Sequence, residues 1–182
     1  MITRPEALKL VKKNVKNKNL VKHMIAVEGI MRRLARHFNE DEELWGVTGM
    51  LHDLDYDLTV DDFSRHGLVT AELLQGIDVP PELIRAIKTH PGHLPAESLM
   101  EKSLYAADPI SGLIVAAALM HPSKKISGLD ADFLNRRFKE KRFAAGADRE
   151  QIRACSEMGL ELEEFFRLSI EGMTQVADEL GL

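Results

Sequence analysis

His23, His52, Asp53, His66, His90 and Asp108 are the residues of this sequence whose types and surroundings point most directly to chemistry. All six are flanked by apolar residues, and together they bring four imidazoles and two carboxylates. Asp108 is the hardest to assign to a surface. It is the only charged residue in the 17-residue stretch LYAADPISGLIVAAALM, and no Lys or Arg occupies a neighbouring helical position. A buried, unpaired carboxylate is strongly disfavoured, so Asp108 requires donors, a cation or a metal supplied by another segment. His52 and Asp53 are consecutive at the end of an apolar stretch, about 100° apart on a helix, so both side chains can converge on one point. Mixed imidazole and carboxylate sets suit one or two divalent ions of the Fe, Mn, Zn, Co or Ni type better than an all-oxygen Ca or Mg cage. The lone Cys155 argues against a closed thiolate zinc site. Taken singly, His23 also reads as a satisfied core histidine, and His52-Asp53 as a helix cap.

Helices must position these groups. Leu20, Met24, Val27, Met31, Leu34 and Phe38 recur every three or four residues and line one face of a helix over residues 19–38. Asp41 is an N-cap for a second helix to Leu54, carrying Leu44, Val47 and Leu51, in which Gly46 and Gly49 signal the close approach of another element. Further helices are predicted over 66–77, 80–90, 97–120, 130–143, 148–158 and 161–180, with Pro80-Pro81 opening one and Pro109 bending another. No sustained alternation of period two and no hairpin signal occurs, so the fold class is all-α. The expected organisation is a single helical domain over 1–182, with a core over about 20–121 and a helical extension over about 123–182.

The chain has 182 residues, of which 45% are apolar and 29% charged. A chain of that length can remove roughly 70% of its extended surface from water without disulfides. The lysine-bearing N-terminus lacks the apolar core of a signal peptide, and the weakly polar run 109–120 is too short to cross a bilayer. A cytoplasmic location without membrane association is therefore expected. Net charge is −5, with basic stretches near the N-terminus and over 124–153 and nine acids over 39–63. Such a distribution is a poor match to non-specific nucleic-acid binding, which requires many neutralised phosphates, and leaves small phosphorylated substrates as the expected partners. Arg136, Arg137, Lys139, Lys141, Arg142, Arg149 and Arg153 would contact phosphate if the extension folds over the cluster. Facing away, they would form a solvated or homodimer-forming surface.

The order His23, then His52-Asp53 in MLHDLDYD, then Asp108 in YAADPI, resembles the H…HD…D signature of the HD superfamily of metal-dependent phosphohydrolases. RHGLVTAELL around His66 and LIRAIKTHPG around His90 resemble the additional histidines of its six-ligand, two-metal subset, related to bacterial HD-type diadenosine tetraphosphate hydrolases. The resemblance covers about residues 20–115. It implies that His23, His52, Asp53 and Asp108 hold one ion and that Asp53 bridges to a second held by His66 and His90. Paired cations of this kind acidify a water and clamp a phosphoryl oxygen. Where those hydrolases carry a lysine after the HD doublet this chain has Tyr56, between Asp55 and Asp57, which weakens the case for a highly charged polyphosphate. Asp53, Asp55 and His93 are the candidate catalytic residues, and Arg65 and Lys88, next to proposed ligands, are the candidate substrate contacts.

The resemblance implies hydrolysis of a small phosphomonoester or nucleotide. Two alternatives stand beside it: a di-iron HD-type oxygenase using the same ligand pattern, and a non-enzymatic helical metal- or ligand-binding regulator.

Overall fold

The computed structural model describes residues 1–182, and every regular element in it is helical. The chain runs through α1 (Arg4–Asn14), α2 (Lys18–Phe38), α3 (Glu42–Leu51), α4 (Tyr56–Thr59), α5 (Leu68–Leu73), α6 (Pro81–Thr89), α7 (Leu99–Met120), α8 (Ala131–Lys139), α9 (Arg149–Arg153), α10 (Leu162–Thr174) and α11 (Ala177–Leu180), with short 3₁₀ turns at 63–65, 126–128 and 154–158.

Central helix α2 starts where the Asn17 side chain accepts the Asn19 N–H and ends at Asn39 in the left-handed conformation. Its Met24, Val27, Met31 and Leu34 are fully buried. Helix α3 begins at Asp41, whose carboxylate accepts the Leu44 N–H. It lies so close to α2 that a Cβ on Gly49 would sit 3.0 Å from the Val27 carbonyl oxygen. On another side of α2, helix α10 crosses at a glycine pair: a Cβ on Gly29 would fall 2.6 Å from the Gly172 oxygen, and one on Gly172 2.5 Å from the Gly29 oxygen. The extension is thereby seated on the core, and one cluster of buried apolar side chains extends from Ile2 to Leu180.

Helix α7 opens on a Ser98/Glu101 capping box and remains helical on both sides of Pro109. By length and composition alone it could cross a membrane, yet more than half of its apolar window is buried among the other helices. It delivers Asp108 to the protein interior.

Several boundaries differ from the periodicity. The second predicted helix ends at Leu51, and residues 52–55 form turns. Helix α5 starts only at Leu68, because Gly67 adopts φ +76° directly before it. Gly67 is required there, since a Cβ would also approach the Ile87 carbonyl oxygen to 2.7 Å. Beyond α8 the chain turns through 140–147 instead of staying helical to Phe143. The Arg149 guanidinium collects the carbonyls of Ala144 and Ala147, both at 2.7 Å. Helix α1 was not anticipated, although Thr3 and Glu6 signal it: the Glu6 carboxylate accepts the Thr3 N–H at 2.8 Å.

Candidate metal centre

All six residues meet. His23 comes from α2, His52 and Asp53 from the turn after α3, His66 from the turn before α5, His90 from the end of α6 and Asp108 from α7. Asp53 is the hub. Its Oδ2 lies 3.4 Å from His23 Nε2, and its Oδ1 lies 3.3 Å from His52 Nε2, 3.1 Å from His66 Nε2 and 3.5 Å from His90 Nε2. Asp108 Oδ1 is 3.2 Å from His23 Nε2 and 3.8 Å from His52 Nε2, with no arginine or lysine against it. Asp53 thus reaches all four imidazoles, whereas Asp108 reaches only His23 and His52.

The outward nitrogen of every imidazole is already committed. His52 Nδ1 lies 2.8 Å from the Gly49 carbonyl and His90 Nδ1 2.6 Å from the Ile87 carbonyl. Carbonyls only accept, so both Nδ1 atoms donate. Ser111 gives its hydroxyl hydrogen to the Asp108 carbonyl and so receives one from His23 Nδ1 at 2.9 Å. His66 Nδ1 donates to Asp55 Oδ1 at 2.8 Å. Neutral imidazoles held this way turn four Nε2 lone pairs inward. His23 and His52 then face each other at 3.2 Å and His66 and His90 at 3.1 Å, with no hydrogen between them. Lone pairs opposed at that distance require a shared proton or a cation, and outward N–H groups fixed by carbonyl and carboxylate acceptors are the usual support of metal-binding histidines. The residues therefore fit divalent metal. His23, His52 and Asp108 supply one group of converging ligand atoms, and His52, Asp53 and His90 a second.

Without metal, protons take that role. Burial opposes a charge on His23, but hydrogen bonds to Asp108 and Asp53 outweigh it and push the imidazole up to about 10. Burial likewise opposes a charge on His66, and Asp53 and Asp55 push it up to about 9. Burial alone would raise Asp53 and Asp108, yet the surrounding imidazoles hold both below the usual carboxylate range. His90 is pushed down by burial. The two raised histidines stabilise the metal-free protein fully below their ordinary pKa of 6.5, and that contribution is lost as pH rises through about 9 to 10. Metal must displace the same protons, so its affinity rises with pH over this window. Calorimetric titration with Mn²⁺ at pH 7.5, in two buffers of different ionisation enthalpy, should show net proton release. Zero release would mean that the imidazoles are neutral before metal arrives.

Asp55 is not placed as the acid or base expected of it. Fully buried, it accepts the Gly67 and Thr70 N–H groups on Oδ2, both at 2.8 Å, while Oδ1 holds His66. Its role is to orient His66 against the start of α5. Loss of an outer-shell partner of this kind typically costs about 10–100-fold in metal affinity or activity. Asp55→Asn should show that loss by metal titration, and unchanged affinity would exclude the orienting role. His93 Nε2 donates to the His66 carbonyl at 2.8 Å and braces this turn from the other side, so that nitrogen is not free for a substrate proton. The expectation that Arg65 and Lys88 contact phosphate finds no support in the geometry. Arg65 pairs with exposed Glu72 at 3.4 Å, and Lys88 lines a separate groove between α5 and α6. Four arginines of the extension lie against aromatic rings of their own segment, Arg136 and Arg137 over Phe133, Arg149 and Arg153 over Phe138.

Two other neighbours of the cluster, Ser111 and Phe63, were not singled out from sequence. Ser111 orients His23, and its position one turn after Asp108 in an apolar helix was an available signal. Phe63 stacks on His66 with centroids 4.6 Å apart, and Tyr56 meets the same ring edge-on at 5.7 Å. Both aromatics are exposed at the rim.

Residues 20–118, which hold every member of the cluster, match the family model described as HD domain. The chain belongs to the HD domain family. Among curated proteins, this HD domain is similar to ribonuclease Y of Sulfurovum sp. (strain NBC37-1), at 29% identity over 135 residues, covering 72% of this chain and 26% of that protein. It is also similar to ribonuclease Y of Campylobacter jejuni (strain RM1221), at 32% identity over 59% of this chain and 22% of that protein. For ribonuclease Y of Acholeplasma laidlawii (strain PG-8A) the identity is 31%, over 51% of this chain and 18% of the relative. The chain spans about a quarter or less of the length of these relatives. No solved structure matched the chain significantly.

Proposed function

We propose that this HD domain protein is a metal-dependent phosphohydrolase acting on a small phosphomonoester or nucleotide. The observation that carries the reading is the convergence of four imidazole Nε2 lone pairs on Asp53, with Asp108 closing one half. One ion would be held by His23, His52, Asp108 and Asp53, and a second by His66, His90 and the same Asp53. Divalent cations bound there supply a water acidic enough to attack at neutral pH and positive charge against the phosphoryl oxygens. The chain's own contribution is to commit each Nδ1–H outward through Gly49, Ile87, Ser111 and Asp55, so that all four Nε2 atoms are aimed inward for a metal to take in place of their protons, and to bring Asp53 within reach of all of them. Mn, Fe, Co, Ni and Zn are the ions this donor set favours over Ca.

The relatives are ribonucleases, which supports a second reading, in which the ester is a phosphodiester of RNA. Net charge −5 and the acids of residues 39–63 favour the small substrate, because RNA binding draws its affinity from many cation–phosphate contacts. A panel of nucleoside monophosphates, sugar phosphates and short oligoribonucleotides with added Mn²⁺, Fe²⁺, Co²⁺ or Ni²⁺ separates the two. Phosphate release from monoesters is the expected result, and cleavage of oligoribonucleotides alone would replace it with the second reading. No turnover on any ester, with oxygen uptake by the iron-loaded protein, would transfer the site to the oxygenase alternative.

A further inference from the structure

Gly112 sits in the middle of α7, one turn after Asp108, where glycine is a poorer helix former than alanine. Other helical glycines have a packing reason: Gly29 and Gly172 let two backbones cross, Gly46 lies against the Arg32 side chain and Gly49 against α2. A Cβ on Gly112 would meet nothing within 4 Å. The space it leaves open is a cleft of about 410 Å³ with His23 and Asp108 at its base. One wall is α7 at Gly112 and Ala116; the facing wall is the loop at Ala144, Gly146 and Ala147. Gly146, on the facing wall, also has nothing within 4 Å of its Cβ position, so a glycine with open space beside it lines each wall. Arg149 fixes the far wall through the Ala144 and Ala147 carbonyls. The extension thus reaches the metal cluster with small residues, while Arg149 holds the wall in shape.

Past His23 and Gly112 the slot adjoins a second cavity of about 520 Å³, which those two residues also line. Val115, Leu119 and Leu180 give it apolar walls, and Asn19 and Lys22 give it a polar edge. The Lys22 ammonium donates to the Leu180 carbonyl at 2.6 Å and pairs with no carboxylate. The order is therefore metal ligands, a cleft walled mostly by glycine and alanine, then a largely apolar cavity with an amide and an ammonium in its lining. We propose that the Gly112–Gly146 slot is the leaving-group subsite and takes the pentose of a nucleoside monophosphate, with phosphate at the His23/Asp108 end and the base in the apolar cavity. A sugar phosphate would leave Val115, Leu119 and Leu180 facing water, and a polyphosphate would find a single cation along the path. This assignment rests on the phosphohydrolase reading and adds the substrate's shape to it.

The probes are inorganic phosphate and the non-hydrolysable 5′-methylene phosphonate isostere of AMP, titrated calorimetrically into the Mn²⁺-loaded protein. The wild type should bind the isostere at least about tenfold more tightly than phosphate, a gain set by contacts beyond the phosphate itself. Gly112→Leu, whose side chain enters the slot, should abolish that advantage while phosphate and Mn²⁺ binding stay within about twofold, since neither uses the slot. Gly146→Leu should do the same from the opposite wall. Gly112→Ala should fold with a raised melting temperature, which guards against reading a folding defect as a blocked slot. Equal affinity for the two probes in the wild type, or an advantage that survives both leucine variants, overturns the subsite and leaves the hydrolase reading standing. Failure of phosphate itself to bind the Mn²⁺-loaded protein overturns both.

Discussion

Replacing Asp53 with Ala should remove metal from both halves of the cluster and lower phosphoester hydrolysis by on the order of 10³-fold, the loss expected when several kcal/mol of charge stabilisation disappear from the transition state. The size of the effect follows from position. Asp53 is the only residue within 3.5 Å of all four imidazole Nε2 atoms, through Oδ2 on His23 and Oδ1 on the other three. Asp108 approaches only His23 and His52, so Asp108→Ala should deplete one half and leave His66, His90 and Asp53 together. Metal content after dialysis, measured beside the rate, tests the distinction: less metal in Asp53→Ala than in Asp108→Ala, with both variants unfolding cooperatively. Retention of full metal and full turnover by Asp53→Ala would remove the bridging role and the hydrolase reading built on it. The variant must be judged on metal and rate, because deleting a buried carboxylate also removes its desolvation cost and melting temperature alone can move either way.

What could be read from sequence was whatever depends on near neighbours along the chain. The stripe Leu20 to Phe38 and the Asp41 cap are set by helical periodicity and by one local hydrogen bond, and both occur at the expected places. The six polar residues stood out because each interrupts apolar surroundings, which holds whatever the tertiary arrangement. The functions of Asp55 and Arg149 could not be read in the same way. An acid beside an HD doublet has the same local context whether it faces a substrate or the N–H groups of a helix twelve to fifteen residues on, and only the fold around Gly67 decides between them. Arg137 and Arg149 matched the pattern of phosphate forks, yet aromatic rings of their own segment, and for Arg149 its carbonyls, engage them. Glycines showed the converse. Gly49 was legible as a close approach, whereas the Gly29–Gly172 crossing joins positions far apart in the chain, and neither residue alone indicates its partner.

Glu28→Ala should destabilise the protein by about 3 kcal/mol and lower its melting temperature by about 6–12 °C, with metal content retained. Glu28 is a fully buried carboxylate. It accepts Arg4 Nε at 2.6 Å and Nη2 at 3.0 Å, and Arg32 Nε at 2.9 Å. Arg4 continues to Glu179 at 2.7 Å and Arg32 to Glu43 at 2.6 Å, so one side chain ties α1, α2, α3 and α11 together. Its removal leaves two guanidinium groups, only 31% and 14% exposed, without their buried counter-charge. That uncompensated charge, more than the lost attraction, is the source of the cost. Glu43 offers the control. Its carboxylate is 63% exposed, and Glu43→Ala should cost no more than about 1 kcal/mol, as exposed pairs usually do. Glu28→Gln should fall between the two, because the amide oxygen still accepts from one arginine but carries no charge. The metal ligands are affected least, since His23 lies five residues away on α2 and is oriented by Ser111 of α7, outside this network. Equal melting temperatures for Glu28→Ala and Glu43→Ala would show that water reaches the site and that α1 and α11 are held by apolar packing alone.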